Sequence, residues 1–366
     1  MKNPIQHILL LLSFACFFMA AAAQSIPTLK NDRNTERSID AILSGYGSKH
    51  DPGASVLVMR NDTILFSKSY GVKNINSKAS INAGTNFRLA SVTKQFTATC
   101  ILFLEQNGQL SLNDKISKYL QNLPGYTSNI RIDQLLNHTS GLPDYEDLIP
   151  ELQTEQVLDK DCLTLLKRAD SLYFVPGTAY RYSNTGYALL ALIVEKVSGT
   201  SFATFLQTHI FKPLNMTTTV AFENGISTVK NRAFGHSFTN NSWELTDQSN
   251  SSAVLGDGGI YSNTIDLLKW ISALWNYKVL SAPYQQKAWT KTRLNNGQLL
   301  DYGYGWHIEA HKNGTHPYHS GSSIGFRNYI NVFPEEKLMV VVLSNRNSAD
   351  PKTICKKITS LFLQPE

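Results

Sequence analysis

Ser91-Val92-Thr93-Lys94 sets a hydroxyl and an amine three residues apart, at the head of a segment that reads as a helix over 91–106. Phe96, Ala98, Ile101, Leu102, Phe103 and Leu104 make most of that helix apolar, and Asn107-Gly108 is its stop signal. Side chains at i and i+3 share a helix face, so Lys94 is placed to reach Ser91. Apolar surroundings disfavour the charged amine and lower its pKa. A neutral lysine can then draw the proton from a serine nucleophile. The first N–H groups of a helix have no partner within it and suit a developing oxyanion. A second copy of the spacing, Ser227-Thr228-Val229-Lys230, lies in a polar stretch and opens no apolar helix, so it reads as a loop.

Two further groups of residues could complete such a site. Tyr182-Ser183-Asn184 follows the turn signal Val175-Pro176-Gly177-Thr178 and precedes an apolar helix that runs to Gly199. Its tyrosine can share a proton with Lys94, and its asparagine can bind a substrate amide. Tyr261-Ser262-Asn263 repeats the pattern, but it follows Gly256-Asp257-Gly258-Gly259 and reads as a turn, with Asn263 or Thr264 capping a helix over Thr264–Trp275. His319-Ser320-Gly321 falls in a short strand over 317–322, so His319 and Gly321 share one face and Ser320 takes the other. A glycine on the working face would let a substrate lie against the backbone. The N–H of Ser322 is the expected second oxyanion donor beside that of Ser91.

Ser-x-x-Lys, Tyr-x-Asn and a basic residue-x-Gly, in that order, resemble the serine β-lactamase and penicillin-binding protein superfamily. The Tyr-x-Asn form is similar to the class C β-lactamases and their esterase and D-peptidase relatives. Also similar are Leu136-Asn137-His138-Thr139-Ser140-Gly141-Leu142, Gly258-Gly259-Ile260-Tyr261-Ser262, Tyr302-Gly303-Tyr304-Gly305-Trp306 and Gly325-Phe326. The likeness runs from about residue 35 to 363. It implies Ser91, Lys94 and Tyr182 as catalytic residues, and Asn184, His319, Gly321 and Ser322 as substrate-binding ones. It implies an acyl-enzyme on Ser91, with neither metal nor cofactor, and a small ester, D-amino-acid peptide or β-lactam as substrate. Tyr182, aided by His319, would protonate the leaving group. One departure is His319, where many β-lactamases carry lysine. Histidine is a weaker cation near neutral pH, which weighs against a substrate carboxylate at that place. A penicillin-binding or peptidoglycan-sensing protein that acylates once and releases slowly would carry the same motifs.

Other chemistries fit less well. Gly321-Ser322-Ser323-Ile324-Gly325 matches the G-x-S-x-G elbow, but that fold needs a histidine after its serine, and all 9 histidines precede Ser323. The glycines there suit a tight turn between strands. His307, Glu309 and His311 alternate and read as a solvated strand face opposite Trp306, Ile308 and Ala310, not as a metal site. The net charge of +6 is scattered, without a basic helix, which argues against nucleic acid as a partner.

The elements that must position these residues suggest one α+β unit over 24–366. An antiparallel sheet flanked by helices draws on about 35–90 and 289–366, and a mostly helical subdomain on about 91–288. Two strands flank Asn61-Asp62, a hairpin signal. Lys2, an apolar core over 8–23 and Ala21-Ala22-Ala23 read as a cleaved leader over 1–23. The expectation is an exported, periplasmic or secreted bacterial protein with no stable membrane span. Beyond Cys16, the odd set Cys100, Cys162 and Cys355 allows at most one disulfide.

Overall fold

The computed structural model describes residues 33–363. The leader read over 1–23 lies outside the described residues. The strands are β1 (Ala54–Arg60), β2 (Thr63–Tyr70), β3 (Phe87–Arg88), β4 (Val220–Ala221), β5 (His236–Thr239), β6 (Ser242–Leu245), β7 (Ile260–Ser262), β8 (His307–His311), β9 (Gly314–Ser323), β10 (Phe326–Phe333) and β11 (Leu338–Ser344). Six of them form one antiparallel sheet in the order β2-β1-β11-β10-β9-β8, so both ends of the chain build it.

Strand periodicity explains why this sheet is buried on both faces. Val56 and Val58 of β1, with Val340 and Val342 of β11, pack with Ile39, Ile354 and Ile358 from helices Arg33–Ile42 and Pro351–Ser360. The alternate residues Leu57, Met59, Met339, Val341 and Leu343 join the larger core on the opposite face, with helix Thr264–Trp275. Each such side chain contributes about 1.5–3 kcal/mol by leaving water. A strand covered on both sides has no polar alternation to keep, which is why β11 reads as an unbroken apolar run. The β1–β2 hairpin turns on Asn61 (φ 50°) and Asp62 (φ 58°). Both lie in the left-handed region that a two-residue turn of this hand requires.

The middle of the chain holds helices Lys94–Gln106, Asn184–Ser198 and Thr264–Trp275. It also contains two small sheets, β3-β7-β4 and β5-β6, which amphipathic patterning over such short strands did not disclose. Tyr261 and Ser262 therefore lie on strand β7, not on a turn. Asn263 does cap the following helix, its side chain accepting from the N–H groups of Ile265 and Asp266. Among the described residues no single helix is long and apolar enough to cross a membrane. Cys100, Cys162 and Cys355 are buried and free.

The strand carrying His307, Glu309 and His311 is less solvated than its alternation suggests. His307 stacks on Tyr318 with ring centroids 5.1 Å apart, and burial pushes its pKa down to about 4. Ala310, expected on the buried side, is exposed where β8 nears its end.

Candidate active site

Ser91 lies in a 3-10 turn, Ala90–Thr93, that leads into helix Lys94–Gln106. Ala90 enters that turn at φ 49°, a conformation costly for a residue with a β-carbon. The turn is gripped by the main sheet. β8 accompanies β9 only from Gly314 to Tyr318, and past that point β9 packs on the nucleophile turn. At Gly321 a β-carbon would come within 2.1 Å of the Leu89 carbonyl oxygen. Gly321 therefore admits the turn that carries Ser91, whereas the sequence suggested room for a substrate. Gly305 (φ 77°) plays the same part on the other side, where a β-carbon would meet the Lys94 carbonyl at 2.7 Å.

The Lys94 side chain is fully buried and makes three hydrogen bonds. Its Nζ lies 3.1 Å from Ser91 Oγ, 2.8 Å from Asn184 Oδ1 and 3.0 Å from the Asp257 carbonyl oxygen. Two of these partners can only accept, and only the Ser91 hydroxyl can donate. A neutral Lys94 therefore keeps its N–H bonds to Asn184 and Asp257 and turns its lone pair to Ser91. Burial pushes its pKa down to about 8, against the opposing pull of the Asp257, Asp144 and Glu146 charges.

The Tyr182 ring lies 4.8 Å from Lys94 Nζ. Its hydroxyl is buried and makes no full hydrogen bond, and Ser91 is the side chain it faces. Burial raises its pKa far above the usual phenol value, so it stands protonated. The His138 ring supports it at 4.2 Å, and His138 Nδ1 accepts from the Ser183 N–H. Asn184 is the first residue of helix Asn184–Ser198, with Ser183 as its cap. Its N–H donates to Asp144 Oδ2 at 2.7 Å, and its Nδ2 reaches Glu146 Oε2 at 3.4 Å.

His319 is buried on β9, on the same side as Gly321, with Ser320 exposed. Its Nδ1 lies 2.7 Å from the Ser320 carbonyl, which can only accept, so Nδ1 carries the proton. Nε2 then accepts from the Tyr302 hydroxyl at 3.0 Å. Burial holds the ring well below the ordinary histidine pKa. It is a neutral imidazole whose one proton is engaged, and it has none free to lend to a leaving group. Ser322 lines the same cavity as Ser91, a space of about 250 Å³.

Several contributors were not singled out in the sequence. Asp257 accepts from the Tyr145 hydroxyl at 2.9 Å, and burial pushes its pKa up to about 7. Asp159, far off in the chain, accepts the N–H groups of Leu255 and Gly256 at 2.8 and 2.9 Å and so fixes the Asp257 loop. Asp144, Tyr145 and Glu146 strap the start of helix Asn184–Ser198, with Thr185 Oγ1 accepting from the Tyr145 N–H. Their one signal was proximity to the loop 136–142. The second Ser-x-x-Lys copy stays outside helix and strand, and Lys230 offers only a carbonyl to Asn86. Gly321-Ser322-Ser323-Ile324-Gly325 is a strand-to-strand hairpin and does not run into a helix as the elbow requires.

Residues 35–357 match the family Beta-lactamase. Penicillin-binding protein 4* of Bacillus subtilis (strain 168) is 32% identical over 329 residues, 86% of this chain and 72% of that protein. Protein flp of Staphylococcus aureus (strain MRSA252) is 31% identical over 332 residues, 87% of this chain, which spans 64% of that relative's length. Among solved structures, a penicillin binding protein from Bacillus halodurans superposes with a TM-score of 0.76 at 28% identity, covering 88% of this chain and 99% of that one.

Proposed function

Because the chain belongs to the beta-lactamase family, we propose that it is an exported serine hydrolase that cleaves an ester or amide through an acyl-enzyme on Ser91. The observation that carries this reading is the hydrogen-bond set of Lys94, in which the Ser91 hydroxyl is the one partner able to donate a proton. Lys94 takes that proton as Ser91 Oγ attacks the substrate carbonyl. The N–H groups of Ser91 and Ser322 hold the oxyanion, and Asn184 orients the substrate. Tyr182, protonated and facing Ser91, gives its proton to the leaving group and regains one through Lys94. Water then releases the acyl group, and no step calls on a metal or cofactor. The substrate class is a small ester, a D-amino-acid peptide or a β-lactam. A neutral His319 favours the first two, since it offers no cation for a substrate carboxylate at that place. Export rests on the leader pattern over 1–23.

The names of the relatives support a second reading, a penicillin-binding protein that acylates with little turnover. Hydrolysis of a chromogenic cephalosporin and of a short-chain p-nitrophenyl ester, by wild type and Ser91→Ala, separates the outcomes. Steady ester turnover that drops at least about a thousandfold in S91A is expected. A stoichiometric burst with negligible turnover marks the second reading, and full activity in S91A sinks both.

A further inference from the structure

We infer that Arg88 binds a carboxylate carried on the acyl part of the substrate, making the protein selective for anionic acyl groups. This rests on the Ser91 reading and adds a substrate class to it.

Arg88 ends β3, three residues before the nucleophile, and only 3% of its surface is exposed. Its backbone is engaged, the carbonyl accepting from Asn328 Nδ2 at 2.8 Å. Its guanidinium is engaged only in part: it reaches the Tyr261 hydroxyl, while Nε and Nη1 are buried without a hydrogen-bond partner. A buried cation left so is costly unless an anion completes it. The neighbouring arginine makes the contrast, because Arg232 has a carboxylate partner in Asp247. The carboxylates near Arg88 are committed elsewhere. Asp257 takes the Tyr145 hydroxyl, and Glu146 reaches toward Asn184.

Arg88 lines the same cavity as Ser91, and so does Ser323, whose Oγ is likewise buried without a partner. An arginine fork and a hydroxyl lining one cavity together suit the two oxygens of a carboxylate. Asn184 also lines this cavity, whereas Tyr182 and His319 do not. Tyr182, the residue assigned to the leaving group, is not among the residues lining this cavity, which puts the acyl portion beside Arg88. The cation lost where histidine replaces lysine is supplied on another wall. Glu146, at the cavity's exposed rim, limits how much negative charge the acyl group can carry.

The test compares mono-p-nitrophenyl glutarate with p-nitrophenyl butyrate, using wild type, Arg88→Met and Arg88→Lys. The ratio of kcat/KM for the anionic over the neutral ester should fall about 10- to 100-fold in R88M. R88K, which keeps the charge and loses the fork, should fall between. Free glutarate should inhibit the wild type competitively, and glutaramide should not. An unchanged ratio, or equal inhibition by glutarate and glutaramide, overturns the assignment. If R88M does not fold, the inhibition of wild type decides alone. Failure of the Ser91 reading shows separately, as butyrate hydrolysis that survives S91A.

Discussion

At the scale of single residues the site works by denying charge. Lys94 loses its ordinary pKa to burial, so about a tenth of the molecules hold it neutral at pH 7 where an exposed lysine would hold far fewer. The reactive form is the deprotonated one. Below pH 8, kcat/KM for a neutral ester should therefore rise about tenfold per pH unit and level off above it. A flat profile between pH 6 and 8 would exclude Lys94 as the base. Tyr182 carries the converse cost. Its hydroxyl is buried and lacks a full partner, so Tyr182→Phe removes an unsatisfied group and should leave the melting temperature equal or higher. The same change should lower kcat about 10²- to 10⁴-fold if the hydroxyl moves the leaving-group proton. A lower melting temperature with intact kcat would assign Tyr182 to structure alone.

At the scale of elements, the nucleophile turn is held by close backbone approach. Gly321 on β9 touches the Leu89 carbonyl, and Gly305 touches the first turn of helix Lys94–Gln106. Gly321→Ala must push the turn away from the sheet. It should cost about 1–3 kcal/mol of stability and most of the activity, while the exposed neighbour change Ser320→Ala should do neither. Urea unfolding with parallel ester assays checks both, and a G321A enzyme with wild-type kinetics would show that the turn is not held there. Some strands were legible from local signals. β9, Gly314–Ser323, contains the span expected over 317–322, and β1 and β2 flank Asn61-Asp62 as that hairpin signal predicted. β7 was missed because three residues are too few for a period to show, and it was read as a turn from the glycines before it.

Across the whole molecule, local pattern and chain order carried most of the information. Ser91, Lys94 and Asn107-Gly108 declare a helix and its end because spacing and stop signals act within a few residues. Tyr182, Asn184 and His319 could be grouped with them only through resemblance, since nothing local says that distant segments meet. What the amino-acid sequence determined by itself is the α+β architecture, the nucleophile helix and the motif residues. Only the tertiary structure decided the electrical state of the site. Whether Lys94 is neutral, whether His319 keeps a cation and whether Arg88 has a partner depend on burial and on contacts such as Lys94 with Asp257, 163 residues away in the chain. Desolvation and hydrogen bonding are properties of the assembled surroundings, and no window of sequence contains them.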